Sequence, residues 1–282
     1  MTTPCEVQIF TKDEYKSKLV ATNILKSLKE LEKKYNFYNP NSLLSQINQR
    51  KIEKIDIQTK DILTRAKQFY IKTDKIFDIT VGTLKVLKNL KTIQEIEKKR
   101  KELLEFVGVE HFKIKKNKIS FDNPYTMIDL GGVVKEFAVD NAIKLLKKAK
   151  IESAIVNFGG DIYALGTKPN GEYFSIGIKN PLNPKEFITF IKLKNQALTT
   201  SASYERNYQI ENKIYSHIIS KENTQNQILS ASIISKSALQ SGIYSTSLMI
   251  KPTLKTNLEM IKPTLKTNLE KILIDKNLKI IR

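Results

Sequence analysis

The sequence predicts an α+β fold in which mainly antiparallel strands are interrupted by a few long helices. Amphipathic stretches with helical spacing dominate the first hundred residues, whereas short strand-like runs separated by turn residues dominate from residue 112 onward. Because several of these runs follow one another without a helix between them, antiparallel pairing is favoured over a doubly wound parallel sheet. The 282 residues provide enough chain to bury a sizeable core.

The predicted elements begin with a strand at residues 5–11 and a helix at 13–35, in which Ile24, Leu25, Leu28 and Leu31 share one stripe. Further helices are predicted at 58–73, 93–105 and 133–149. Further strands are predicted at 112–115, 118–121, 127–130, 153–158, 173–178, 187–193, 207–211, 214–219 and 228–235.

Composition limits the classes of function that the chain supports. The net charge of +19 attracts anions such as nucleic acid, an anionic membrane or a phosphate-bearing small molecule. The lysines are spread along the whole chain, and no recognisable nucleic-acid module accompanies them, so no nucleic-acid partner is expected. The single cysteine, Cys5, excludes an intramolecular disulfide framework and a cysteine-based zinc site, and two histidines argue against a His-rich metal site.

The sequence carries no recognisable targeting or membrane segment. No run reaches the ~18 to 20 apolar residues that span a bilayer, and the first residues contain no apolar signal region. As written, the chain is therefore expected to be cytoplasmic and without a transmembrane segment. A start codon assigned too far downstream would hide an N-terminal signal.

The C-terminal region contains an exact duplication. Residues 249–259 read MIKPTLKTNLE, and residues 260–270 repeat them without a change. One extra copy is too few for a solenoid, which needs at least three units. The sequence therefore predicts a main domain at 1–250 and a C-terminal helix–turn extension at 249–282.

The segment Asp129–Lys135 has the strongest local signal for a ligand site. A predicted strand ends in Asp129, the pair Gly131-Gly132 permits close backbone approach, and a predicted helix then begins with Lys135 in its first turn. Free N–H groups and the dipole of a helix start favour a phosphate, to which a lysine adds a full charge. A tight strand-to-helix turn with a solvated lysine fits the same residues.

Four other segments allow both a structural and a functional interpretation. Gly159-Gly160-Asp161 fits a hairpin or bulge, or a backbone packed against a planar or phosphorylated ligand. The run 199–206 contains several hydroxyl residues close to Glu205 and Arg206, a composition that fits a polar turn with a surface ion pair. His217 lies in a strand-like run where a packed histidine is common. The hydroxyls of 241–247 fit helix N-caps or oxygen ligands for a hard cation.

The order and spacing of these segments resemble the FAD:protein FMN transferases of the ApbE type. The resemblance covers about residues 1–250, and it implies an α+β, T-fold-like core. Its motifs are YNPNSLLSQIN at 38–48, FDITVG at 77–82, DLGGVVK at 129–135 with the following Asp140, GGDIYALG at 159–166, TSASYER at 200–206 and YSHII at 215–219.

The resemblance implies a role for each matching position. Those expected at the flavin and phosphate groups of FAD are Tyr38, Ile76, Phe77, Asp78, Asp129, Lys135, Gly159, Gly160, Asp161, Thr200, Ser201 and Ile219. Those expected at Mg²⁺ are Gly132, through its carbonyl, Ser245 and Thr246. His217 is expected to act as the general base. The implied reaction is Mg²⁺-dependent transfer of FMN from FAD to a Thr or Ser hydroxyl of an acceptor flavoprotein.

Four positions depart from the family pattern. Ser220 and Gly242 stand where the family has aspartates, the second of them the main metal carboxylate, and Glu136 and Ala202 stand where it has glycines. Since Mg²⁺ normally takes one or two carboxylates, the loss at 242 predicts a weakened metal site unless Glu222 or Glu136 compensates.

Three functions therefore remain open: an active flavin transferase, an FAD-binding paralogue without transferase activity, and a basic binder of nucleic acid or membrane surfaces. Family members usually act outside the cytoplasmic membrane, so two alternatives stay open: the chain is cytoplasmic, or its N-terminal signal is absent from the sequence given.

Overall fold

The computed structural model describes residues 3–183, 185–204, 207–216, 218–221, 228–254 and 271–281. Within these ranges the chain forms helices and strands in alternating groups. The α-helices are α1 (Glu14–Tyr35), α2 (Leu43–Asn48), α3 (Ile57–Lys72), α4 (Ile93–Leu103), α5 (Val134–Lys148) and α6 (Ala238–Ile250). Short 3-10 segments cover Gly82–Asn89, Leu104–Phe106 and Val109–His111.

The strands are short and almost all pair with antiparallel neighbours. They are β1 (Cys5–Ile9), β2 (Phe112–Lys115), β3 (Lys118–Phe121), β4 (Ala154–Phe158), β5 (Asp161–Leu165), β6 (Phe174–Lys179), β7 (Phe187–Leu193), β8 (Gln196–Ala202), β9 (Asn207–Ile210), β10 (Lys213–Ser216), β11 (Ile228–Ser235), β12 (Lys271–Asp275) and β13 (Ile280–Ile281).

A seven-stranded antiparallel sheet organises the described part of the chain. Its strand order is β1-β4-β5-β8-β11-β12-β13, and β2-β3, β6-β7 and β9-β10 form separate hairpins. One face of the sheet is covered by α5 and α6, and α1 packs against α5. The predicted α+β class with an antiparallel sheet is confirmed.

The helix α1 forms where the sequence analysis predicted it because its apolar residues repeat with helical spacing. Asp13 caps its first turn by accepting from the backbone N–H of Lys16, and Val20, Ile24 and Leu28 lie on the buried stripe. The prediction that Leu25 shares this stripe was wrong, because Leu25 lies about 100° around the helix from Ile24 and is exposed. The predicted helices at 58–73, 93–105 and 133–149 correspond to α3, α4 and α5 for the same reason.

Three predictions of local structure were wrong. Residues 127–130 are extended but form only an isolated bridge, between Met127 and Val81. The hydroxyl-rich run from residue 199 is not a polar turn at its start, because Thr199–Ala202 completes strand β8 in the centre of the sheet. Residues 271–281 are strands rather than part of a helix–turn extension, because pairing with β11 buries Ile272 and Ile274. The duplicated residues 255–270 lie outside the described ranges.

The start of α6 is held by a carboxylate from α5. Both oxygens of Asp140 accept main-chain N–H groups of α6, from Ala238 at 2.8 Å and Leu239 at 3.1 Å. Ser237 caps the same helix end by accepting from Gln240 N. Because the first N–H groups of a helix have no partner inside it, this pair of caps fixes α6 against α5.

No helix in the described ranges is long and apolar enough to cross a membrane.

Asp140 predicts a specific pH dependence of stability. Burial raises its pKa to about 6, although the two N–H donors and the charges of Lys144 and Arg65 oppose the shift. The folded state therefore holds more protons than the unfolded state between pH about 4 and 6, so stability falls as pH rises through this window, by about 3 kcal/mol for this group. Denaturant titrations from pH 4 to 7 should show that Asp140→Asn removes this part of the slope.

The matched control is Ser237→Ala, which removes the other cap of α6 without removing a titratable group. It should lower the unfolding free energy by about 1 kcal/mol at every pH. An unchanged slope in Asp140→Asn would contradict the prediction.

Candidate functional site

The segment that precedes α5 is held by the side-chain amide of Asn48. Asn48 Nδ2 donates to the Ile128 carbonyl at 2.8 Å, and the Ile128 N–H donates to Asn48 Oδ1 at 2.8 Å. The next residue, Asp129, donates its N–H to the carbonyl of Ile79 at 2.7 Å. The buried amide thus replaces a neighbouring strand, which satisfies the backbone of a segment without regular pairing.

The Lys85 side chain contacts Asp129 and two aromatic rings. Lys85 Nζ lies 2.8 Å from Asp129 Oδ2, and it also lies 4.1 Å from the ring centroid of Phe37 and 4.8 Å from that of Tyr38. The Tyr38 side chain is 73% exposed, so its ring is available to a ligand. Lys85 therefore links two predicted flavin-site residues, Tyr38 and Asp129, through an ion pair and cation–π contacts.

The second glycine of the pair lies against an aromatic ring. A Cβ atom on Gly132 would lie 3.6 Å from Phe77 Cε2, so glycine leaves an ordinary van der Waals space beside this ring. Asp78 is buried next to Phe77, and its Oδ1 accepts from the N–H and hydroxyl of Thr80. Its Oδ2 has no hydrogen-bond partner among the described residues. Burial raises the pKa of Asp78 above its ordinary value.

The first turn of α5 provides a lysine and a buried acid. Lys135 Nζ lies 2.7 Å from Asp161 Oδ2 at the start of β5. Glu136 is only 4% exposed, and the atoms closest to an added Cβ on Gly242 all belong to Glu136. Burial raises the pKa of the Glu136 carboxyl, the neighbouring Asp161 carboxylate raises it further, and Lys135 opposes both.

The turn between β4 and β5 depends on its two glycines. Gly159 and Gly160 have φ values of +62° and +93°, a region that favours glycine. The Gly160 N–H donates to Asn157 Oδ1 at 2.9 Å, and a Cβ on Gly160 would meet no atom within 4 Å. The turn therefore exposes backbone next to Asp161, as expected for either interpretation of this motif.

The predicted hydroxyl residues separate onto two faces of the sheet. The Ser201 hydroxyl lies 2.8 Å from Ser245 Oγ and 3.2 Å from Thr246 Oγ1, on the face covered by α6. Thr200 Oγ1 instead lies 2.7 Å from Ser232 Oγ on β11. Successive residues of a strand point to opposite faces, so Thr200 is not brought together with the α6 hydroxyls.

Ile76 and Ile219 belong to separate apolar clusters. Ile76 is buried with residues of β11 and α6, and Ile219 packs beside the cluster that includes Leu84 and Ile96. The main chain next to Ile219 is held by Arg100, whose guanidinium donates to the carbonyls of Ser220 and Lys221 at 2.9 and 2.8 Å. His217, Glu205, Arg206 and Glu222 lie outside the described residues.

The described residues contain no group of three or more His, Cys, Asp and Glu side chains that could hold a metal. Two surface hollows, of about 450 Å³ beside β12 and about 420 Å³ beside β6, contain none of the predicted site residues. The candidate site is instead a strip of neighbouring groups. It runs from Tyr38 through Asp129 and Gly132 to Lys135, and then from the adjacent Glu136 past Gly242 to the hydroxyls of α6.

Sequence reasoning missed the residues that hold this strip together. Asn48 lies within the YNPNSLLSQIN motif, but no role was predicted for it. Lys85 and Arg100 are two of many lysines and arginines, so neither stands out by type. Only the contacts of Lys85 with Asp129, and of Arg100 with two carbonyls, distinguish them from solvated charges.

A sequence profile of the ApbE family matches residues 1–273 of the chain. This match covers the strip, strands β1 to β11, the first residues of β12, and the helices α5 and α6. The chain belongs to the ApbE family. The predicted resemblance is thereby confirmed.

Individual relatives agree with this family assignment. The chain is 27% identical over 233 residues to an FAD:protein FMN transferase of Vibrio cholerae, covering 77% of this chain and 69% of that protein. It is 29% identical over 194 residues to an FAD:protein FMN transferase of Chlamydia pneumoniae, covering 66% of this chain and 59% of that protein. A crystal structure of the ApbE protein of Thermotoga maritima superposes with a TM-score of 0.82 at 23% identity, covering 99% and 96% of the two chains.

We expect the replacement of Asn48 by alanine to have a large effect on the stability of this fold. Asn48→Ala leaves the buried N–H and carbonyl of Ile128 without partners, so it should lower the unfolding free energy by about 2 to 4 kcal/mol. Denaturant titration measures the loss, and hydrogen exchange should show reduced protection of the Ile128 amide. The exposed Gln49 on the same turn serves as control, and Gln49→Ala should change stability by less than about 0.5 kcal/mol. Equal stabilities of the two variants would contradict this role.

The packing of Glu136 against Gly242 predicts that substitutions at these two positions have coupled effects on stability. Gly to Ala inside an open helix stabilises by about 1 kcal/mol. At Gly242 the added Cβ would lie 3.0 Å from Glu136 Cδ and closer still to Cγ, so Gly242→Ala should instead destabilise by about 1 to 3 kcal/mol. The double variant Glu136→Ala with Gly242→Ala should recover part of this loss, and a double-mutant cycle measures the coupling. Additive effects would show that the two side chains do not compete for space.

Proposed function

We propose that this protein transfers FMN from FAD to a Thr or Ser hydroxyl of an acceptor flavoprotein, with Mg²⁺ as the metal. The observation that carries the proposal is the strip around 129–135, within a chain that belongs to the ApbE family over residues 1–273. Two relatives bear the name FAD:protein FMN transferase. The strip offers aromatic and carboxylate groups at one end and a lysine with hydroxyls at the other, as a dinucleotide with a flavin and two phosphates requires.

The flavin end of the substrate is assigned to the residues around Asp129. The exposed Tyr38 ring offers a flat apolar surface for the isoalloxazine, and the buried Phe77 ring lies beside Gly132 at the edge of this surface. The buried Oδ2 of Asp78 has no partner among the described residues, so it is available to accept a hydrogen bond from a flavin N–H. Lys85 holds Asp129 and the Tyr38 ring in place.

The pyrophosphate is assigned to the start of α5. This helix has no side-chain N-cap, and its dipole favours an anion at its start. Lys135 adds a positive charge in the first turn and is held by Asp161. The net charge of +19 attracts a substrate that carries two phosphates.

The donor set near α6 is chemically suited to Mg²⁺. Glu136 and Asp161 offer carboxylates, and Ser201, Ser245 and Thr246 offer hydroxyls. Mg²⁺ prefers oxygen ligands and usually keeps several waters or substrate phosphates, so it does not need three protein carboxylates. When bound, it supplies charge neutralisation at the phosphates, which makes AMP a better leaving group.

The proposed reaction is an in-line displacement at phosphorus. The acceptor hydroxyl oxygen forms a bond to the phosphorus of the FMN moiety, and the bond from that phosphorus to the oxygen of AMP breaks. His217 accepts the hydroxyl proton, so AMP leaves as the anion and the flavin stays attached through a phosphoester. Arg100 positions the main chain of 220–221, which follows this histidine.

A second candidate function is FAD binding without transfer. Gly242 and Ser220 favour it, because each lacks a carboxylate that the family pattern places near the metal. The residues assigned to the flavin and the pyrophosphate do not depend on these two positions, so FAD binding should survive where phosphoryl transfer fails.

An assay of the acceptor's mass distinguishes the two functions. The purified chain is mixed with FAD, Mg²⁺ and an acceptor domain that carries a threonine target, and the intact mass of the acceptor is measured. We expect a gain equal to one FMN, with the rate lowered at least about 100-fold by His217→Ala because a general base is lost. Lys135→Met should weaken FAD binding, whereas Lys148→Met on the exposed end of the same helix should not.

The remaining outcomes are equally decisive. FAD that stays bound through gel filtration without any gain in acceptor mass would support the binding protein and contradict the transferase. A chain that retains no FAD would contradict both.

A further inference from the structure

Glu136 on α5 is a buried acid, and its side chain lies in the space beside Gly242 of α6. Glu136 is 4% exposed and faces Asp161, which is fully buried at the start of β5. A Cβ on Gly242 would lie 3.0 Å from both Cδ and Oε1 of Glu136. A side chain entering from residue 242 and the side chain of Glu136 therefore compete for the same volume.

One oxygen of this acid lacks a partner in the described part of the chain. Glu136 Oε2 is inaccessible to solvent and makes no hydrogen bond with any described residue. A buried carboxyl oxygen without a partner is costly, and such groups are normally paired or coordinate a metal. The nearest cation, Lys135 Nζ, already lies 2.7 Å from Asp161. The two buried acids, Glu136 and Asp161, therefore share one ion-paired lysine, and this excess of negative charge favours a further positive group.

Hard oxygen donors lie one helical turn along α6. Ser245 donates its hydroxyl to the Gly242 carbonyl at 3.0 Å, and Ser201 lies 2.8 Å from Ser245 Oγ and 3.2 Å from Thr246 Oγ1. The Ser245 hydroxyl and the acid thus adjoin the same backbone position, residue 242, and Ser201 connects Ser245 to Thr246. Carboxylate and neutral oxygen ligands together favour a small divalent cation such as Mg²⁺.

We propose that Glu136 supplies from α5 the carboxylate of the divalent-cation site, in the volume that Gly242 leaves free. This inference rests on the proposed function and extends it, because the sequence at 242 alone indicates an eroded metal site. The glutamate at 136 and the glycine at 242 both differ from the family pattern. They then form a single exchange, in which the metal carboxylate comes from α5 instead of α6. The chain would consequently retain its metal and phosphoryl transfer.

Binding of Mn²⁺, followed by the electron paramagnetic resonance of the free ion, tests the proposal on the full chain with and without FAD. Wild type should bind the ion, and Glu136→Gln, which keeps the shape but removes the charge, should bind at least tenfold more weakly. Glu102→Gln removes an exposed carboxylate and should leave the affinity unchanged. The exchange variant Glu136→Gly with Gly242→Asp should bind within threefold of wild type.

Several results would overturn the proposal. These are equal Mn²⁺ affinities of wild type and Glu136→Gln, or no Mn²⁺ binding by wild type under either condition. If Glu136→Gln does not fold, as judged by its circular dichroism, the exchange variant decides: a folded variant that binds Mn²⁺ supports the exchange, and a folded one that does not overturns it.

FAD retention and the gain in acceptor mass are measured in parallel, which separates the two proposals. If wild type and Glu136→Gln bind Mn²⁺ with equal affinity and wild type still transfers FMN, only the role of Glu136 is rejected. Loss of FAD binding in wild type would reject the proposed function itself.

Discussion

The two hydrogen bonds between the Asn48 amide and the main chain of Ile128 hold the segment on which the candidate site depends. This segment crosses a region without regular sheet pairing, so its buried peptide groups need partners from elsewhere. Asn48 supplies both a donor and an acceptor, as a neighbouring strand would. The position of Asp129, the glycine pair and the first turn of α5 all follow from this anchoring.

The start of α5 then directs neighbouring side chains to different partners. Lys135 and Glu136 are consecutive, so they point about 100° apart around the helix. The lysine reaches Asp161 and remains partly exposed, whereas the acid is buried and reaches the backbone of Gly242. The first turn of α5 thus carries both the lysine to which we assign the phosphate and the acid to which we assign the metal. The opposing charges also limit the cost of burying two acids, since Lys135 partly offsets the repulsion between them.

The sheet decides which hydroxyls belong to the site. Thr200 and Ser201 are adjacent in a motif that reads as one polar cluster, but strand β8 sends them to opposite faces. Ser201 joins Ser245 and Thr246 under α6, while Thr200 pairs with Ser232. Within this polar run, Thr200 and Ser201 each find another hydroxyl, across the strand pair or the helix interface, whereas the buried Thr199 hydroxyl has no partner among the described residues.

The sequence by itself determined the long helices, most of the strands and the family, because periodicity and ordered motifs are local properties of the chain. It also identified Asp129, Lys135 and the altered positions 136 and 242, and it named Glu136 and Glu222 as the two carboxylates that could compensate for the loss at 242. Only the tertiary structure decided that Glu136 fills the space beside Gly242, that Lys85 joins Tyr38 to Asp129, and that residues 271–275 complete the sheet. These facts depend on contacts between residues distant in sequence, and such contacts arise only when the chain packs.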